Sequence, residues 1–143
     1  MAGEKCAVPI TESMQSVYQR ALREGSARFI ANAGIINLYP DSRYKICSHQ
    51  DDAEPCEHAP VVSLSLGCSA CFLVGGLTRE QTPVAIKLHS GDVLVMEGSS
   101  RRAFHGVPRI LAGTSPFEGW MATHRINLNL RQVECSAECK NSK

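Results

Sequence analysis

Residues 125–132 read Arg-Ile-Asn-Leu-Asn-Leu-Arg-Gln. The alternation is strict. Arg125, Asn127, Asn129 and Arg131 share one face of an extended chain, and Ile126, Leu128 and Leu130 share the other. This is a strand with one polar and one apolar side. Upstream of it the chain breaks into short runs of similar length, with candidate strands at 29–38, 44–48, 61–66, 71–74, 84–88, 92–96 and 103–107. Turn residues separate them: Pro40-Asp41, Gly67, Gly75-Gly76, Ser90-Gly91, Gly98-Ser99 and Gly113-Thr114. About eight strands at such intervals predict a mainly β sandwich or barrel. A jelly roll, the double-stranded β-helix of cupin type, fits the strand count.

Ahead of the strands, residues 11–24 place Met14, Val17, Tyr18 and Leu22 at helical spacings. Thr11 can cap this helix and Gly25 can end it. The expected organisation is an N-terminal segment with one helix (1–28), a jelly-roll core (29–133) and a polar, frayed tail (134–143).

The 143 residues allow one domain with a real core. The net charge of +1 excludes a global basic field, so a binder of phosphate chains needs a local patch. No apolar run approaches the roughly 18 residues of a membrane span. The N-terminal residues MAGEKCAVPITES lack an apolar signal core. A soluble, intracellular protein without membrane attachment is expected. Seven cysteines, an odd number, fit free thiols in a reducing compartment better than a disulfide framework. Cys68-x-x-Cys71 and Cys135-x-x-x-Cys139 carry zinc-like spacings. The first pair sits in an apolar strand run, where positions three apart face opposite ways, so buried structural cysteines are the better reading.

The chemistry starts at His49-Gln50-Asp51, directly after the run YKICS. Residues two apart on an extended chain share a face, so imidazole and carboxylate can reach one point. Alone, such a pair is more often a solvated loop. With a histidine from a distant strand it makes a 2-His-1-carboxylate facial triad, which leaves coordination positions of Fe(II) open for oxygen and a 2-oxo acid. Of the other histidines, His58 lies in the acidic loop PCEHAP, His89 sits at the turn LHSGD, and His124 precedes a strand of different character. His105, on a short strand before Gly106, is the expected third ligand. The polar face of 125–131 has an ordinary explanation, a wet edge strand. Turned into a barrel, unpaired guanidinium groups would be costly. A dianionic ligand resolves that, because the planar arginine fork meets a carboxylate bidentately.

The run 37–132 resembles the AlkB family of 2-oxoglutarate-dependent dioxygenases, which demethylate alkylated bases. The matching pieces, in order, are NLYP (37–40), HQD (49–51), PVVSLSLG (60–67), FLVGG (72–76), GDVLVMEGSSR (91–101), FHG (104–106) and RINLNLRQ (125–132). The resemblance implies that His49, Asp51 and His105 bind Fe(II), with no catalytic residue beyond the metal site. It implies that Asn37, Tyr39, Arg125, Asn127 and Arg131 hold 2-oxoglutarate: Arg125 with Tyr39 takes the distal carboxylate, and Arg131 sits nearer the metal. With O2 as second cosubstrate, the implied reaction is oxidative dealkylation of N-alkylated bases in DNA or RNA. Arg101, Ala53 and Glu54 are expected on the substrate side. Two departures bear on substrate. Only 36 residues precede Asn37, so the family's nucleotide-gripping lid is expected to be absent or minimal. Ala53 stands where the family often has an acid. Weak binding of single-stranded alkylated nucleic acid by a monomer is therefore expected. The alternative is the same chemistry on a protein or small molecule, and a non-catalytic β module is a third reading.

Overall fold

The computed structural model describes residues 29–134, together with Cys6, Ala7, Glu12 and Ser16. Among these lie nine strands: β1 (Cys6–Ala7), β2 (Ala33–Tyr39), β3 (Ile46–His49), β4 (Val61–Gly67), β5 (Ala70–Val74), β6 (Val84–Leu88), β7 (Val93–Met96), β8 (His105–Ile110) and β9 (Arg125–Arg131). All eight expected strands are present. The helix expected over 11–24 lies outside the described residues apart from Glu12 and Ser16, as does the tail beyond Glu134.

The strands form two antiparallel sheets, ordered β1-β2-β9-β4-β7 and β3-β8-β5-β6. They pack face to face through Tyr39, Val61 and Met96 from the first and Ala70, Phe72, Leu88, Val107 and Ile110 from the second. This is the jelly roll that the strand spacing predicts. The wall β2-β9-β4 has an unusual polarity. On β9 the polar face of Arg125, Asn127, Asn129 and Arg131 lines the interior cavity. Its apolar face turns outward, where Leu128 and Leu130 join Val62, Phe29, Ala31, Cys56 and Ala59 in a second cluster. The sheet can carry polar groups inside because this outer layer keeps the hydrophobic burial on its back.

Two local departures from the expected pattern have physical causes. β2 starts at Ala33 rather than at residue 29. Phe29 and Ala31 instead cover the outer cluster. β8 runs past Val107 through Pro108, an exposed residue. The register of β5 with β8 shifts between Cys71 and Leu73. Such an irregularity accepts a proline without a ladder donor and exchanges the faces that follow, so Ile110 points inward where Arg109 would otherwise do so. The free-thiol expectation holds for Cys47, Cys68 and Cys71 and fails at Cys56, which is disulfide-bonded. An odd cysteine count carries no information about which pairs folding brings together.

Candidate metal centre

His49 ends β3 and His105 begins β8, and the two are direct partners in the ladder. Gly106 makes this pairing possible. A Cβ there would stand 2.9 Å from the Ile46 carbonyl oxygen and 3.1 Å from the Ser48 nitrogen, so only glycine lets β3 come this close. The imidazole centroids lie 4.5 Å apart, and Phe72 stacks on His105 at 5.8 Å.

Each ring is oriented by a carbonyl two residues earlier in its own chain. His49 Nδ1 is 3.0 Å from the Cys47 oxygen, and His105 Nδ1 is 2.9 Å from the Ala103 oxygen. A carbonyl only accepts, so both Nδ1 atoms carry the hydrogen, which makes Nε2 the atom that each ring, when neutral, can offer a metal. The two Nε2 atoms face Asp51: His49 Nε2 is 3.7 Å from Oδ1 and His105 Nε2 is 3.6 Å from Oδ2. All three donor atoms lie within 4.8 Å of one another, and they are the one such cluster among the described residues. Cys68 and Cys71 take no part; the Cys68 thiol instead donates to the Ala122 carbonyl oxygen. The other histidines are engaged elsewhere. His89 pairs with Asp92, His124 stacks on Trp120, and His58 is exposed.

Protonation states suit a cation. Burial pushes His105 below the ordinary histidine range, against the opposing hydrogen bond to Ala103, which favours the neutral ring a metal needs. Burial alone would raise Asp51. The charge and hydrogen bond of Arg131, with the two histidines, hold it below the usual carboxylate value.

A cavity of about 710 Å³ extends from this cluster along β9 and β2. Ladder pairing sets Tyr39 beside Arg125 and Asn37 beside Asn127, and on the other side β4 sets Ser65 beside Asn127 and Ser63 beside Asn129. Asn127 Nδ2 donates to Ser63 Oγ at 2.6 Å, and Asn37 Nδ2 donates to Asn127 Oδ1 at 3.3 Å. Arg125 is 1% exposed. Its guanidinium donates to Ser65 Oγ at 2.9 Å and to the Cys68 carbonyl oxygen at 3.2 Å, and it lies 5.9 Å from the Tyr39 ring centroid. No carboxylate among the described residues comes within ion-pair distance of it. Burial pushes the Tyr39 phenol up to about 12, with Arg125 acting the other way, so Tyr39 is a neutral hydroxyl at any working pH.

The donor set fits Fe(II) with a dicarboxylate. Four buried polar atoms have no protein partner, namely Tyr39 Oη, Asp51 Oδ2, Arg125 Nε and Arg131 Nε, and all four residues line this cavity. An unmet buried group costs about 1–3 kcal/mol. A cation at one end and an anion at the other would meet them.

Of the residues expected on the substrate side, Ala53 is exposed at the cavity wall. Glu54 lines the cavity, but its carboxylate is tied to Arg101 and Arg131. Arg101 is misplaced by that expectation. It lies buried behind the metal-binding loop, donating to the backbone oxygens of Ala59 and Asp51 at 2.6 and 2.7 Å. An arginine following a strand reads as solvent-facing, and nothing in its local sequence announces those carbonyl partners. Ser63 and Ser65, which accept hydrogen bonds from Asn127 and Arg125 respectively, are not among the expected site residues, although their alternation in PVVSLSLG, in step with β9, carries the signal. Gln50 was also missed; its amide donates to the Arg102 carbonyl oxygen at 2.6 Å and anchors the loop between the two ligands.

Comparison with known proteins agrees with this geometry. The sequence model of the 2OG-Fe(II) oxygenase superfamily matches residues 4–131. The tRNA demethylase abh1 of Schizosaccharomyces pombe is 38% identical over 115 residues, covering 74% of this chain and 38% of that protein. The alpha-ketoglutarate-dependent dioxygenase AlkB of Salmonella typhimurium is 41% identical over 115 residues, covering 80% of this chain and 51% of that one. The chain thus spans about half or less of the length of these relatives. Among solved structures, OsALKBH1 superposes with a TM-score of 0.68 at 34% identity, covering 86% of this chain and 62% of that one. The resemblance to the AlkB family read from the motifs is borne out.

Proposed function

The chain belongs to the 2OG-Fe(II) oxygenase superfamily, and on that premise we propose that it is a dioxygenase for the oxidative dealkylation of N-alkylated nucleic-acid bases. The observation that carries the reading is the polarity of the cavity: three free metal-donor atoms at one end, and at the other a buried arginine with only neutral partners. When bound, Fe(II) supplies coupled oxidation, in which O2 converts 2-oxoglutarate to succinate and CO2 while an N-alkyl carbon is hydroxylated and then leaves as an aldehyde.

The protein's own residues bind and orient. His49, Asp51 and His105 hold the cation from one side. Arg125 takes the distal carboxylate through the guanidinium edge that Ser65 and Cys68 leave free, and the Tyr39 hydroxyl donates to the same group. Asn127, held by Ser63 and Asn37, fixes the wall between the two ends. Arg131 stands at the metal end, against Asp51.

On the substrate, the names of the relatives, demethylases of tRNA and DNA among them, support an alkylated nucleic acid. We assign a preference for single-stranded or unpaired bases. Extruding a base from a duplex costs a few kcal/mol, and a chain of net charge +1 offers little general attraction to phosphate to offset it. Ala53 at the mouth provides no carboxylate for an exocyclic amine or a cationic ring. The protein acts as a monomer, and no described helix is long and apolar enough to cross a membrane.

The test is turnover on methylated oligonucleotides, single- and double-stranded, DNA and RNA, with succinate measured separately. Demethylation should be fastest on single strands and should vanish in His105→Ala. Succinate without any nucleic-acid product would move the chemistry to a protein or small-molecule substrate. Full activity of the variant would remove the metal assignment.

A further inference from the structure

Four buried charges sit together at the metal end of the cavity, one of them the candidate ligand Asp51. Asp51, Glu54, Arg101 and Arg131 have side chains 4–8% exposed. They form a chain rather than pairs. Arg131 puts one nitrogen, Nη2, on Asp51 Oδ1 at 2.8 Å and the other, Nη1, on Glu54 Oε1. The second oxygen of Glu54 takes Arg101 Nη2 at 3.1 Å. Arg101 in turn donates to the Asp51 backbone oxygen at 2.7 Å.

We propose that Glu54 is a positioning residue that splits the Arg131 fork so that one oxygen of Asp51 remains available to the metal. The reasoning is geometric and rests on the reading of the cavity as a metal and 2-oxoglutarate site. An arginine fork next to a buried carboxylate closes on both of its oxygens, because two parallel N–H···O contacts are the preferred arrangement. Had Arg131 done so, Asp51 would have no free oxygen and the metal would compete with a guanidinium for its only anionic ligand. Glu54 prevents this by holding the other half of the fork. The result is visible in Asp51: Oδ1 is engaged by Arg131, while Oδ2 has no hydrogen-bond partner and faces His105 Nε2 at 3.6 Å. Arg101 fixes the arrangement from behind by binding Glu54 and the Asp51 backbone at once. An Asp51 restricted to one oxygen also leaves room at the ion for a bidentate cosubstrate.

The experiment reads Mn(II) affinity by calorimetry and by electron paramagnetic resonance of the free ion, without turnover. Glu54→Gln keeps the shape of the side chain and removes the charge that holds Arg131. Mn(II) affinity is expected to fall roughly tenfold or more, the scale of a lost charge-assisted contact. Glu54→Gln combined with Arg131→Lys should recover most of it, since an ammonium cannot close on both oxygens. A merely structural role for Glu54 predicts no such recovery. Arg131→Lys alone should keep Mn(II) affinity near native while weakening 2-oxoglutarate, and this variant decides the matter if Glu54→Gln does not fold. Native-like Mn(II) binding by Glu54→Gln, or collapse of it in Arg131→Lys, overturns the inference alone. A native chain that binds no Mn(II) overturns the reading of the site and the inference with it.

Discussion

His105 shows how one side chain links folding to chemistry. Its ring is buried against Phe72, with Nδ1 committed to the Ala103 carbonyl. Burial holds its pKa below the ordinary value. In the unfolded chain the same ring takes a proton near pH 6.5. As pH falls, the unfolded state therefore binds more protons than the folded one, and stability falls with it. Asp51, depressed in the folded protein, has the same sign in a lower window. Its contribution is present above about pH 4 and is lost as pH drops through its folded value. The metal-free protein should keep a flat thermal midpoint above about pH 7.5 and lose stability on the way to pH 5, and His105→Gln should flatten that limb. Thermal unfolding in chelator across pH 5–8 measures it; an identical slope in the variant would assign the effect to another group.

Strand β9 concentrates what the sequence made legible and what it did not. Its alternation was readable residue by residue, as were the eight strands, because period-two patterning and turn chemistry are local. The His49–Asp51–His105 cluster followed from the same-face rule plus elimination of the other histidines, each of which the fold places elsewhere. The role of Arg101 was not legible, because it depends on carbonyls 42 and 50 residues away in sequence. Nor was the disulfide at Cys56. The polar face of β9 had two readings, a wet edge or a buried ligand wall. Its central place between β2 and β4 rules out the wet edge. Arg125→Ala should then weaken 2-oxoglutarate binding by about ten- to a hundredfold, corresponding to the 1.5–3 kcal/mol of a charged hydrogen-bonded contact. Arg125→Lys should weaken it less, keeping charge but losing the fork. Calorimetric titration checks this, and unchanged affinity in both would mean that the distal carboxylate docks elsewhere.

The chain taken whole has little net charge, and some of its exposed cations are compensated in pairs such as Arg102–Glu57 and Arg43–Asp41. Contact with a nucleic-acid backbone should therefore be slight. The expected slope of log affinity against log salt for a single-stranded oligonucleotide corresponds to only about one to three phosphates, at about 0.7 per phosphate. A steeper slope, measured by anisotropy, would mean that a basic surface takes part in binding. The two halves of the site also differ in how they are held. Arg125 and Asn127 stand on a strand bonded on both sides and covered on both faces, whereas His49 stands on β3, at the edge of its sheet, where the register with β8 slips between Ile46 and His49. Amide exchange with deuterium should follow that division. The β9 amides would exchange only when the whole domain opens, and those of residues 46–51 through small local openings. The cosubstrate wall would then exist before any ligand arrives, while the metal-binding half gains order on loading, so added Mn(II) should slow exchange at residues 46–51 and leave β9 untouched.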